Sequence, residues 1–168
     1  LGPWKTVYEG LSQLNPQEQK SWFDFDHFYS SDSFPRVLPH VFKNNPKRML
    51  DIGGNTGKWA LQCCNYSKEI QMGIADLPGQ LNMAKKNIAE AGFADRLTYH
   101  EMNILDEEVK LPKGYDAIWM SQFLDCFSED EIESILNRCH ETLDENGKVY
   151  IMETFCDHQR FKTAAFSL

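Results

Sequence analysis

From residue 46 onward, short apolar runs alternate with longer stretches whose apolar residues recur every three or four positions. Met49, Leu50 and Ile52 make a first strand over Arg48–Ile52, and helical character begins at Lys58 and runs to Tyr66. A second strand is predicted over 71–75, ending at Asp76, and Pro78 suits the first turn of the helix that follows. Leu81, Ala84, Ile88 and Ala91 keep helical spacing, and Gly92 suits a C-terminal cap. A third strand spans 97–102, and Lys113-Gly114 turns the chain into a buried fourth strand over 115–120. Ser128 with Glu131 reads as a capping box that opens a helix carrying Ile132, Ile135, Leu136, Cys139 and Leu143. Gly147 ends that helix, and 148–154 is a fifth strand. Five strands alternating with helices predict an α/β domain with a parallel, doubly wound sheet and right-handed crossovers.

Residues 1–45 have a different pattern and are predicted as a helical linker or lid segment, with 46–168 as the main domain. Tyr8, Leu11 and Leu14 share one stripe that Pro16 interrupts. Trp22, Phe23, Phe25, Phe28 and Tyr29 form an aromatic segment, and Val37, Leu38, Val41 and Phe42 a third apolar face. Pro35 and Pro39 are expected to break or begin helices here. The aromatics either pack against the main domain or, through Phe28, Tyr29 and Ser30, cover a ligand.

With 168 residues, 42% hydrophobic and 25% charged, the chain is sized for one globular domain with a short extension. A net charge of −8 argues against a nucleic-acid partner, which calls for a basic face. Five cysteines without Cys-x-x-Cys spacing are read as reduced packing residues of a cytoplasmic protein. No apolar run approaches the length of a membrane span, so no membrane partner is expected, and no metal site is read from the sequence. The chain begins at Leu1, which is read as a sign of a longer parent protein. If the sheet ends at its fifth strand, that bare edge is expected to invite pairing with other chains.

Candidate chemistry concentrates between the first strand and the first helix, at Asp51-Ile-Gly-Gly-Asn-Thr-Gly57. Glycines there let backbone approach a ligand, and the following helix turns unpaired N–H groups toward it. A dinucleotide fingerprint fails, because Asn55 and Lys58 stand where its later glycines belong. A Walker phosphate loop fails as well, because Trp59 follows Gly57-Lys58. What remains is an acidic residue, Asp51, closing the strand, then Gly53, Gly54 and Gly57, with Asn55 tolerant of a left-handed backbone. Asp76 follows about 20 residues later at the end of the second strand, where a carboxylate can accept ribose hydroxyls. Its alternative reading is an N-cap for the next helix.

This turn resembles motif I of the class I S-adenosylmethionine (SAM) dependent methyltransferases. Together with Ala75-Asp-Leu-Pro78 and Phe127-Ser-Glu-Asp-Glu131, it is similar to the two-domain small-molecule O-methyltransferases of caffeate and acetylserotonin type. The resemblance covers roughly residues 20 to 155. It implies a Rossmann-like sheet in the order 3-2-1-4-5, with terminal strands 6 and 7 and an N-terminal dimerisation domain missing. It implies SAM as cofactor, S-adenosylhomocysteine as product, a small-molecule acceptor, and a homodimer in the full-length protein. The cofactor residues it implies are Asp51, Gly53, Gly54, Asn55 and Gly57, then Asp76 for ribose and Leu77 beside adenine. Asn103 and Ile104 flank the adenine, Ser30 or Ser31 reaches the methionine part with Tyr29 in the segment that would cover the cofactor, and Ser121 stands where the family has a lysine.

The resemblance departs most at the base. The family's His-Asp-Trp-Ser is Asp125-Cys126-Phe127-Ser128 in this chain, so Asp125 replaces the proton-abstracting histidine. Glu153 matches the family's supporting acid. A free aspartate sits near ~4, far from the ideal for a base at neutral pH. Burial beside Glu153 would raise it, because two close carboxylates resist joint ionisation. Alternatively Asp125 is a solvated residue ahead of a helix. Three functions therefore compete: a SAM-dependent methyltransferase acting on a small-molecule hydroxyl, a degenerate SAM-binding module with a regulatory or structural role, and an NAD-binding oxidoreductase domain that the failed fingerprint disfavours.

Overall fold

The computed structural model describes residues 7–10 and 14–153; within the first two helices the side chains of residues 7, 9, 16, 19, 20 and 22–29 fall outside that description. In chain order the elements are α1 (Val7–Gly10), α2 (Pro16–Phe42), β1 (Arg48–Ile52), α3 (Lys58–Tyr66), β2 (Gln71–Asp76), α4 (Pro78–Glu90), β3 (Leu97–Glu101), β4 (Ala117–Ser121), α5 (Glu129–Thr142) and β5 (Lys148–Met152). The sheet runs β3-β2-β1-β4-β5, and every pairing is parallel. Its order and its Rossmann-like α/β class are those the resemblance implied.

The central strands are buried on both faces, as parallel strands covered by helices must be. Alternation sorts their side chains into two cores. Met49, Met72, Ile74, Ala117 and Trp119 face one side with α2, α3 and α4. Leu50, Ile52, Ala75, Ile118 and Met120 face the other with α5 and Tyr8. The Trp59 and Trp119 rings stack at 3.9 Å with Phe34 edge-on to Trp59 at 5.0 Å, locking α2 and α3 onto the sheet. At the base of the sheet the Asp116 carboxylate accepts from the Lys47 and Arg48 N–H groups at 2.9 and 2.8 Å, setting the start of β1 against β4. Val149 and Ile151 on β5 are more than a third exposed, and β4 is β5's neighbour among the described residues.

Residues 16–42 depart from expectation, because they form one continuous helix through Pro35 and Pro39. Both prolines are exposed, while Ser30, Phe34, Leu38 and Val41 form the buried stripe on another side. The hydrogen bonds each proline forgoes thus leave carbonyls facing water, and burial of the opposite stripe outweighs the loss. Pro16 starts this helix at its first turn. Asn15 Oδ1 accepts from the Gln17 and Glu18 N–H groups, and Glu18 Oε2 accepts from Asn15 N, a full capping box. The Ser128–Glu131 box at α5 is present as expected. Cys63, Cys64 and Cys139 are buried free thiols, and Cys126 is a half-buried one. No helix among the described residues is long and apolar enough to cross a membrane.

Candidate functional site

A doubly wound sheet opens a crevice beyond the C-terminal ends of its strands where the winding direction reverses. Here the reversal lies between β1 and β4. The turn leaving β1 holds three left-handed residues, Gly53 (φ 71°), Asn55 (φ 50°) and Gly57 (φ 80°). Asparagine in the middle therefore does take the conformation that its neighbouring glycines take. Gly53 N donates to Ala75 O at 2.9 Å, and Gly57 N to Gly54 O at 2.8 Å. A Cβ on Gly54 would lie 2.8 Å from Asp51 Oδ2 and from Ile74 Cγ2, so the backbone there lies directly on buried groups.

Asp76 is almost fully buried and clamps this turn. Its Oδ2 accepts from Asn55 N at 2.8 Å and its Oδ1 from Leu77 N at 2.7 Å. The N-cap position of α4 is Leu77, so the N-cap alternative for Asp76 does not hold. The carboxylate instead joins the ends of β1 and β2.

Asp51, Gly53, Gly54, Asn55 and Ser121 line one narrow cleft with Phe34, Thr56, Lys58, Trp59 and Trp119. Its open volume is ≈ 20 Å³, about the room of one water. Trp119 Nε1 is buried there with no hydrogen-bond partner among the described residues. Ser30 is buried in α2, and Lys58 Nζ donates to the neighbouring Ser31 Oγ at 2.5 Å. The Tyr29 side chain lies outside the described residues. Asn103 is exposed and its Oδ1 accepts from Leu105 N, whereas Ile104 is buried. Sequence reasoning did not single out Trp119, Phe123 or Tyr8 at this site. Their residue types gave no signal, since each reads as ordinary core in a one-dimensional pattern.

Across the cleft, Gln122 is also left-handed (φ 47°) and leads into a 3-10 turn over Leu124–Cys126. Asp125 lies exposed on that turn, so the burial expected for it is absent. Glu153 is half-buried behind it. Its Oε1 accepts from Phe123 N at 2.7 Å and Leu124 N at 2.9 Å, holding the turn to the end of β5. Burial raises the Glu153 pKa; the two N–H groups pull it down, and the Asp125 charge adds to the rise.

Glu153→Ala is expected to destabilise the fold by about 2–3 kcal/mol in chemical denaturation, because two N–H groups lose their acceptor. Glu153→Gln keeps the accepting oxygen and should retain most of that stability. A carboxyl raised on folding favours the folded state below its ordinary value of 4.5 and loses that contribution as pH rises through the folded value. The wild type should therefore lose stability relative to Glu153→Gln as pH rises above about 4.5, and equal pH profiles would contradict the assignment.

Known proteins resemble this chain in sequence and in fold. The L-tyrosine C(3)-methyltransferase of Streptomyces lavendulae is 23% identical over 158 residues, covering 94% of this chain and 42% of that protein. The 3-hydroxy-5-methyl-1-naphthoate 3-O-methyltransferase of Streptomyces sahachiroi is 28% identical over 132 residues, covering 79% of this chain and 38% of its own length. The chain thus spans well under half of these curated relatives. Among solved structures, an O-methyltransferase from neocarzinostatin biosynthesis, in complex with S-adenosyl-L-homocysteine and 1,4-dihydroxy-2-naphthoic acid, superposes with a TM-score of 0.79 at 19% identity, covering 96% of this chain and 48% of that one. A family model for the O-methyltransferase domain matches residues 35–167, which takes in every strand and the whole glycine turn, and the chain belongs to that family.

Proposed function

We propose that this chain is the cofactor-binding part of a SAM-dependent methyltransferase whose acceptor is a hydroxyl on a small molecule. The observation that carries this is the left-handed turn Gly53–Gly57 pinned by the Asp76 carboxylate through Asn55 N. The residues fit the cofactor on grounds of their own. The left-handed turn sits at the mouth of the sheet crevice, Asp76 places a carboxylate at the end of β2, where ribose hydroxyls could be accepted, and Trp119 Nε1 is a buried donor in the cleft with no partner among the described residues. Gly53, Gly54, Asn55 and Gly57 would hold the cofactor with Asp51, Asp76, Leu77, Asn103, Ile104 and Ser121, while Tyr29 and Ser30 of α2 would cover its methionine end. When bound, SAM supplies a methyl group already activated by the sulfonium charge.

The chain's own task is then to align an acceptor and exclude water. Asp125 takes the acceptor's proton, and Glu153 holds the turn that carries Asp125. Exposure of Asp125 supports an acceptor entering from solvent. The acceptor class follows the naphthoate relative, and the tyrosine C(3) relative makes carbon the competing acceptor atom. The resemblance supports a homodimer for the whole protein, and the free cysteines support a cytoplasmic location.

Calorimetric titration of this chain with SAM, S-adenosylhomocysteine and NAD tests the cofactor. Binding of the two adenosyl sulfur compounds and not of NAD is expected. Binding of NAD alone would sink the reading. Tight binding of S-adenosylhomocysteine with no labelled methyl transferred to a panel of phenolic acids by the whole protein would favour a SAM-binding module instead.

A further inference from the structure

Tyr8 comes from a four-residue helix at the other end of the chain, yet its ring is 3% exposed. It packs edge-on to Phe123 with centroids 5.7 Å apart and to Phe127 at 5.3 Å, and those two rings meet each other at 4.9 Å. Phe123 lies directly on Gly53, so this aromatic trio sits on the glycine turn itself. The Tyr8 hydroxyl faces Ile104 N, which donates to it at 3.5 Å. Burial and the Asp76 charge both push the phenol pKa upward, which puts the hydroxyl within electrostatic reach of that carboxylate.

Gly53, Asp76 and Ile104 among these neighbours are residues proposed above for a nucleoside. A ribose held by Asp76 at the end of β2 sends its base toward the adjacent strand, β3, whose exit is Asn103-Ile104. At that place the structure has a flat aromatic ring with a hydrogen-bond acceptor turned to a backbone N–H. Adenine offers the same two features, a plate and a ring-nitrogen acceptor. Both cannot occupy one volume, since protein interiors are filled to crystal density.

We propose that Tyr8 is an internal surrogate for adenine: it fills the base end of the cleft in the ligand-free chain, and adenosyl ligands bind only after it leaves. The proposal rests on the reading of the cleft as an adenosine site. A four-residue helix has little stability of its own, so the packing of this ring helps to hold α1 in place, and the two would leave together. Competition of this kind lowers apparent affinity by the fraction of molecules that are open.

The test is S-adenosylhomocysteine binding to the wild type, Tyr8→Phe and Tyr8→Ala. Tyr8→Ala should bind about tenfold tighter, because its open fraction approaches one, and Tyr8→Phe, which keeps the ring, should tighten by no more than about threefold. Unchanged or weaker binding in Tyr8→Ala would make Tyr8 a wall of the site and overturn the proposal. A second readout leaves the ring in place: with 3-fluorotyrosine at position 8, the fluorine NMR signal should move from a buried to a solvent-exposed position as S-adenosylhomocysteine is added. A bound ligand with an unmoved signal would also overturn it. Failure of all three folded proteins to bind would instead remove the adenosine reading, and with it the surrogate.

Discussion

Asp76→Ala is expected to weaken S-adenosylhomocysteine binding by at least about 100-fold and to destabilise the chain by about 2–4 kcal/mol, since it removes an ionised acceptor from two N–H groups and from the ribose. Both effects come from one geometry. The carboxylate holds Asn55 N and Leu77 N at 2.8 and 2.7 Å, so it shapes the glycine turn before any ligand arrives. The variant loses a ligand contact and the preorganisation of the turn together. Asp76→Asn separates them, because one amide oxygen can still accept from one of the two N–H groups while the amide nitrogen faces a donor. It should fall between wild type and Asp76→Ala in stability while losing most of the binding. Calorimetry with urea denaturation reads both quantities, and affinity within tenfold of wild type for Asp76→Ala would remove the carboxylate from the site.

Gly53→Ala is expected to be the most damaging single change at the turn, at about 3–5 kcal/mol, by overpacking and forced left-handed backbone. An added Cβ would lie 2.6 Å from Phe123 Cε2 and 2.7 Å from its Cγ. The ring cannot swing clear cheaply, because Tyr8 and Phe127 pack its edges. Gly92→Ala is the matched control. Its φ is +79°, close to the +71° of Gly53, but nothing lies within 4 Å of the new Cβ. That variant should lose only about 1 kcal/mol, the cost of a left-handed alanine. The difference between the two in chemical denaturation isolates the Phe123 clash, and equal losses would mean that backbone strain alone accounts for both.

The sequence by itself determined the α/β order, because apolar periodicity, Gly92, Gly147 and the Ser128–Glu131 box are local signals read within a few residues. It determined the glycine turn too, since left-handed backbone restricts which residues can stand at positions 53, 55 and 57. The tertiary structure decided what no local signal carries. Pro35 and Pro39 sit inside a helix because the stripe opposite them is buried in the domain core, which outweighs a propensity rule. Asp76 braces the turn rather than capping a helix because β1 and β2 end side by side. Asp125 is exposed and Glu153 half-buried, although both were read as one carboxylate pair, because Glu153 satisfies the turn's N–H groups. Tyr8, Phe123 and Phe127 meet only in three dimensions, as packing joins residues far apart along the chain by shape and desolvation, which sequence spacing does not encode.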